Sequence, residues 1–467
     1  MKKIIFLIII SYTHSLAQNY GAWRLTDSLN IPRWHAASVE LEDGNILVTG
    51  GLDSIGIRDA EIFDFKTEKW EQTNPMVKGR LDHKLVRLKN GNVLAIGGYG
   101  TKSCEIYDPS TRNWSLTDSL NYERTTGYTA TLLDNGNVLV AGGYYLYPGS
   151  SKYLKSCEIY DVNSAQWVVT DSLKIDNAYH TATKLLNGKV LIAGGFSATQ
   201  KALANCEIYD PLANQWQEAA PLNIARYDHS ATLLPDGKVL ITGGLNYANP
   251  QSPWLNSCEL YDLAENTWTV VDSLLIPRAN HSAIILKNGL LLIFGGDVNN
   301  SAWELYDPNN FLNVYIGNYS GNQYNPLVKL LPNGKVLSAG GMKVTYLSGL
   351  PIVSATNICY SYDPDGVDGV EEEKESIVRD FRLYQNYPNP FNPGTTIEYV
   401  LPKESFVNLT VYNSLGEKVA ILVNEYQRNG KYKVRFTANV KNLASGIYFY
   451  SLRAGNNVIT KKMILLR

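Results

Sequence analysis

The stretch ARYDHSATLLPDGKVLITGG (Ala225–Gly244), followed by CELYD at Cys258–Asp262, decides how this chain folds. Its first part alternates and is rich in strand formers, PDGK is a turn, and KVLITGG is a short apolar run closed by two glycines. After CELYD come a polar turn and a strand carrying Trp268. Four short strands separated by turn residues make one small antiparallel sheet.

The unit repeats. Double glycines stand at Gly50-Gly51, Gly97-Gly98, Gly142-Gly143, Gly194-Gly195, Gly243-Gly244, Gly295-Gly296 and Gly340-Gly341, 45 to 52 residues apart. CEIYD recurs at Cys104–Asp108, Cys157–Asp161 and Cys206–Asp210, and tryptophans follow at Trp70, Trp114, Trp167, Trp216 and Trp268. A sheet this small cannot bury both of its faces, so the copies must stack, and a period near 50 marks a propeller or array.

The GG doublet, the E-[IL]-Y-D element and the Trp, with an Arg and often a His upstream, resemble the kelch family of β-propellers over Tyr20 to Pro364. The resemblance implies four-stranded blades round a central channel. Trp23, in GAWRLTDSL, holds the Trp-strand position but precedes the first complete unit, and the last unit ends at SYDP (Ser361–Pro364) without a Trp strand. The expectation is therefore an all-β, seven-bladed propeller closed by its N-terminal strand.

The repeat also accounts for residues that look reactive. All five cysteines lie four residues before the Asp of their unit, where other units carry Ala60 and Trp303. A position that accepts Ala and Trp is a packing position, and cysteines in different blades are too far apart to bridge. His83, His180, His229 and His281 precede their double glycines by fourteen residues, and His35 by fifteen, read here as one extra residue in its turn. Arg33, Arg80, Arg124, Arg226 and Arg278 come just upstream. These positions either orient the connection into the inner strand or form a polar ring at one mouth of the channel. Equivalent ring positions lie too far apart to share one metal ion. Neither a metal nor any other cofactor is expected.

Topology puts the His and Arg positions on the same face as the loops after the double glycines. Those loops vary most, with long ones at Tyr144–Ser156, Leu245–Ser257 and Met342–Ile358, whereas the opposite face has only tight turns. Variable loops on a rigid scaffold commonly carry binding residues. The candidate ligand-binding set is Tyr144, Tyr145, Tyr147, Tyr247, Trp254 and Tyr346 with His180, His229, His281, Arg226 and Arg278. The alternative is that the loop aromatics simply pack over the blades.

Residues 1–17 (MKKIIFLIIISYTHSLA) read as a secretory signal peptide, with two lysines, a short apolar run and a small-residue cleavage pattern. That run is too short to span a membrane, and no later segment is long and apolar enough. A Gly- and acid-rich linker is expected over 365–380. Beyond it, residues 381–467 include LYQNYPNPFNPGTTIEYVLP (Leu383–Pro402), NLTVYNSLGEKVAIL, ASGIYFYSL and a terminal KKMILLR. This segment is similar to the C-terminal sorting domain of the type IX (Por) secretion system. The resemblance implies a small antiparallel β-sandwich, outer-membrane secretion machinery as a partner, and a final place outside the cell or on its surface. From Asp380 onward twelve Lys and Arg face five Asp and Glu, so the body between leader and tail is acidic, which argues against nucleic acid as a partner.

No nucleophile motif, paired carboxylates or phosphate loop stands apart from the repeat. The expected function, for the propeller over residues 18–364, is a non-catalytic module binding or adhering to an extracellular glycan or protein. The alternatives are a secreted carbohydrate-active enzyme, an oxidase or sugar isomerase, and a structural surface-layer protein. Radical copper oxidases on this scaffold need a Cys–Tyr cross-link, a second Tyr and two His, whereas here every Cys and every mature His belongs to the repeat.

Overall fold

The computed structural model describes residues 20–466, apart from 54, 148–149, 249, 251, 297–301, 319–322, 348–349, 367–380, 387–388, 393, 402–403, 428–429, 438–442 and 456. The leader assigned to 1–17 and most of the linker assigned to 365–380 lie outside the described residues. Chain contacts divide the molecule into two compact units, Met1–Gly369 and Val370–Arg467.

In the first unit the described strands form seven four-stranded antiparallel sheets, hereafter blades one to seven. Blade five shows the pattern. Ser230–Leu233 pairs with Val239–Thr242, which pairs with Cys258–Asp262, which pairs with Thr267–Val271. The second strands, such as Val239–Thr242, are buried along their whole length, because both faces of each blade are covered by neighbouring blades. The innermost strands pack on one another in a complete circuit: Ala37–Glu40, Lys84–Arg87, Thr129–Leu132, Thr181–Lys184, Ser230–Leu233, Ser282–Ile285, Leu327–Leu330 and back to the first.

The N-terminal strand closes that circuit. Ala22–Leu25 pairs antiparallel with Cys359–Asp363, setting Trp23 opposite Tyr362. The Trp23 ring lies 4.4 Å from Phe294 and 5.3 Å from Tyr362. The outer edge of blade seven thus comes from the start of the chain, as Trp23 and the missing final Trp strand led us to expect.

The second unit has a four-stranded sheet in the order Lys418–Gln427, Ser405–Asn413, Gly446–Ala454, Asn457–Leu465. A three-stranded sheet comprises Arg382–Leu383, Gly394–Leu401 and Gly430–Thr437. Burial alternates strictly along Gly394–Leu401, as a strand with one covered face requires. Ile397, Tyr399 and Leu401 from one sheet share a single core with Val407, Leu409, Tyr450 and Met463 from the other.

Candidate functional site

The repeated polar residues build the seams between blades. In blade five the Arg226 guanidinium donates to the Gly243 carbonyl (2.7 Å), the Ser257 carbonyl (2.9 Å) and the Glu259 carboxylate (2.8 Å). Its own backbone carbonyl accepts from the Gly195 N–H of blade four at 2.8 Å. The same carbonyl link joins blade seven to blade one, from Gly341 N–H to Arg33, also at 2.8 Å. A buried charge needs a partner and filled hydrogen bonds, and this is why the glutamate of E-[IL]-Y-D accompanies the arginine. The pairs are Arg33–Glu61, Arg80–Glu105, Arg124–Glu158, Arg226–Glu259 and Arg278–Glu304, all fully buried.

Proposing Arg226 and Arg278 as ligand-binding residues at the mouth is therefore corrected. Both are 0% exposed and lie inside the blades, where their charge is needed by Glu259 and Glu304.

The histidines tie each blade to the preceding one. Nε2 of His83, His180, His229 and His281 meets the hydroxyl of Thr49, Thr129, Thr181 and Thr242, at 2.7 to 3.0 Å. Burial holds all four rings neutral, pushing His180 and His281 down to about 3. The double glycine is the complement of this seam. Gly243 has a φ of 59°, and a Cβ there would sit 2.5 Å from the Arg278 carbonyl and 2.9 Å from the His281 ring. Only glycine tolerates both the left-handed backbone and that approach.

His35 is reassigned. It has a φ of 53° and aligns with Asp82, one place before the ring histidines, while Ala36 holds the histidine position. The fifteen-residue spacing reflects this and not an extra turn residue. His35, Asp82, Gly127, Tyr179, Asp228, Asn280 and Asn325 are one residue from each blade, all with positive φ. Backbone N–H groups link several of them in sequence: Asp82 to His35 O, Tyr179 to Gly127 O, Asp228 to Tyr179 O and Asn280 to Asp228 O, at 2.8 to 3.1 Å.

This ring is the rim of a cavity of about 720 Å³ at the channel mouth. Its walls include Lys84, Thr131, His180, His229 and His281. His35 Nδ1 lies 2.7 Å from Asp82, and the hydrogen bond to that carboxylate raises the imidazole's pKa. Among the described residues no cation pairs with Asp228; burial raises it to about 6 against the opposing hydrogen bond from Asn280. Burial also raises the Tyr179 phenol, with Asp228 as the next contributor. Lys84 is lowered by burial, and its ammonium lies 5.7 Å from the Tyr128 ring centre. The mouth is thus more polar than apolar and carries both charge signs.

An aromatic border runs beside it across blades three to five. Ring centres are 4.9 Å apart for Tyr144 and Tyr153, 5.4 Å for Tyr153 and Phe196, and 5.1 Å for Phe196 and Tyr227. Tyr227 then lies 6.5 Å from both Tyr179 and Tyr247. Among the loop aromatics singled out from the sequence, Tyr247 and Trp254 are 52% and 40% exposed, while Tyr144 and Tyr145 are half-buried. The side chains of Tyr147 and Tyr346 lie outside the described residues.

Sequence reading missed Asp82, Tyr179, Asp228, Phe196 and Tyr227. A usable signal was present: the residue before each ring histidine or its equivalent is mostly Asp, Asn or Gly, the types that tolerate a left-handed backbone. The cysteines are free and buried, each thiol donating to the carbonyl two residues earlier, and burial pushes Cys104 up to about 11 and Cys206 to about 12.

Comparison with known proteins agrees with this architecture. Residues 46–259 match the Attractin/LZTR1 beta-propeller family model, and residues 385–466 match the secretion system C-terminal sorting domain. An F-box/kelch-repeat protein of Arabidopsis thaliana is 33% identical over 140 residues, covering 28% of this chain and 36% of that protein. Kelch-like protein 15 of Mus musculus is 24% identical over 197 residues, covering 38% and 32% respectively. The chain thus spans about a third of the length of these relatives. A fungal alcohol oxidase solved with copper superposes with a TM-score of 0.60 over 96% of this chain and 100% of that one, at 13% identity, a likeness of fold alone. The chain thus carries a kelch-type β-propeller, matched over residues 46–259, followed by a type IX (Por) C-terminal sorting domain, matched over residues 385–466.

Proposed function

We propose that the protein is an exported binding module that takes an extracellular glycan or protein at the channel mouth and its aromatic border. The sorting domain indicates export by the type IX route to the cell surface or the medium; the binding role is our reading. One observation carries it: a polar cavity of about 720 Å³ adjoins a run of packed aromatic rings that ends in the exposed Tyr247. Flat aromatic faces beside hydrogen-bonding groups suit sugar rings, and exposed Tyr and Trp equally suit a protein anchor. Propeller topology puts the tight turns on the opposite rim, where the clefts are smaller, at about 400 to 580 Å³.

A catalytic reading has less in its favour. The thiols and ring histidines that redox or hydrolytic chemistry would draw on are committed to blade packing, and the oxidase resemblance concerns fold alone. A purely structural surface-layer role would leave the mouth unused. Screening the secreted protein on glycan and protein arrays tests the proposal. Hits should be lost with Tyr247→Ala plus Trp254→Ala and kept with Leu212→Ala, a fully exposed residue on an opposite-rim turn. Hits indifferent to the first pair would place binding elsewhere.

A further inference from the structure

Two opposite charges on the wall of the mouth are answered by no described residue. The other titratable groups there are committed. His35 Nδ1 and Asp82 meet at 2.7 Å, and the Tyr128 hydroxyl donates to the Ile96 carbonyl at 2.8 Å. Nε2 of His180, His229 and His281 meets a threonine of the preceding blade, and burial keeps the Tyr179 phenol protonated. Lys84 and Asp228 remain. Among the described residues the Lys84 ammonium has no ion pair and no hydrogen bond; it lies 5.7 Å from the Tyr128 ring centre, and the acid that acts on it, Asp82, is already paired. Asp228 has only the Asn280 hydrogen bond at its carboxylate.

Ring order sets these two groups apart. Lys84 opens the inner strand of blade two, and Asp228 stands two residues before the inner strand of blade five. Three steps round a circuit of seven place them on nearly opposite walls of one cavity of about 720 Å³. A cavity of that size is typical of a small-ligand site. Burial lowers Lys84 and raises Asp228, the directions that a missing counter-charge leaves uncorrected. A ligand with one charge answers only one of the two. A free amino acid carries both charges on one carbon, too close together for opposite walls. A peptide of about three residues holds its terminal ammonium and carboxylate up to about 10 Å apart.

We propose that the mouth takes a short peptide as a zwitterion, its terminal carboxylate on Lys84 and its terminal ammonium on Asp228. The proposal rests on the mouth being the binding site and names the class of ligand it takes. Thr126, Thr131 and Asn325 on the wall offer hydrogen-bonding groups to the peptide units between the two ends. The Tyr179 ring, 6.5 Å from Tyr227, leads from the cavity to the aromatic border, where a peptide side chain can pack. Both wall charges are partly withdrawn from solvent, so an ion pair with either is stronger than one in open water.

Isothermal titration of the secreted protein at about pH 7.5, above the Asp228 titration, tests this with Gly-Tyr-Gly, its N-acetyl form and its C-terminal amide. The free tripeptide should bind, and blocking either end should weaken binding by about tenfold or more. Lys84→Met should make the protein indifferent to amidation while acetylation still counts, and Asp228→Asn should do the reverse. Lys84→Arg should keep the wild-type pattern. Equal binding of all three forms, or an unchanged pattern in Lys84→Met and Asp228→Asn, would overturn the proposal. Two further outcomes would overturn it while leaving the mouth as the binding site: array hits confined to glycans, and a tripeptide that fails to bind while array hits still need Tyr247 and Trp254. Array hits indifferent to Tyr247 and Trp254, with no tripeptide bound, would remove both readings.

Discussion

The arginine–glutamate seam makes the sharpest stability prediction, because the molecule contains its own comparison. Replacing Arg226 with Met removes donors to the Gly243 and Ser257 carbonyls and strands Glu259, which is 0% exposed. Glu259 would keep the Asn223 and Ile224 N–H groups but lose its counter-charge. Breaking one side of a buried pair costs about 3–5 kcal/mol. At about 2 °C per kcal/mol, the Tm should fall by roughly 6–10 °C. The double change Arg226→Met with Glu259→Tyr imitates the Tyr360 arrangement of blade seven and removes the stranded charge, so it should recover at least half of that loss. Calorimetry on the single and double variants closes the cycle. A single variant costing under about 1 kcal/mol, or a double variant no better than the single, would refute the view that charge compensation holds the seam.

Three further outcomes follow from other parts of the molecule. Trp23→Ala should cost about 2–4 kcal/mol through lost packing on Phe294 and Tyr362, read from the urea midpoint; a loss below about 0.5 would show that the N-terminal strand does not close the ring. Asp228, with a folded pKa of about 6, lies above its unfolded value near 4, so the native state favours the protonated form and stability falls as pH rises between them. Asp228→Asn should therefore gain about 1–2 kcal/mol over wild type at pH 8 and nothing near pH 4, and a gain independent of pH would contradict the burial argument. Gly243→Ala should cost about 2–4 kcal/mol by thermal unfolding, since its Cβ would press on the Arg278 carbonyl; a neutral result would reject the close approach.

Much of the fold was legible because the repeat printed it seven times. The double glycines, the turn residues and the displaced Trp23 sufficed for blade order and for closure by the N-terminus. The arginine–glutamate pairing was less visible, since the partners lie 25 to 34 residues apart, on different elements. The replacement of both by Gln323 and Tyr360 in one blade was the available hint. The rim residues were missed for a different reason. Asp82, Tyr179 and Asp228 share a backbone conformation, not a residue type, and a left-handed φ leaves only a statistical trace in sequence. The aromatic border was only half read. Tyr144 and Tyr247 stood out in long loops, but Phe196, which helps connect them, sits in a shorter one, and Tyr227 lies in the repeated stretch and passed as part of the repeat.

Hydrogen exchange of the secreted protein, with and without any ligand the arrays return, tests most directly whether recognition belongs to the channel mouth. The account predicts slowed exchange at Thr125–Tyr128, Ala178–His180, Tyr227–His229 and Leu245–Tyr247. Protection confined to the opposite-rim turns at Asp134–Asn137, Asn187–Lys189 and Asp236–Lys238 would contradict it.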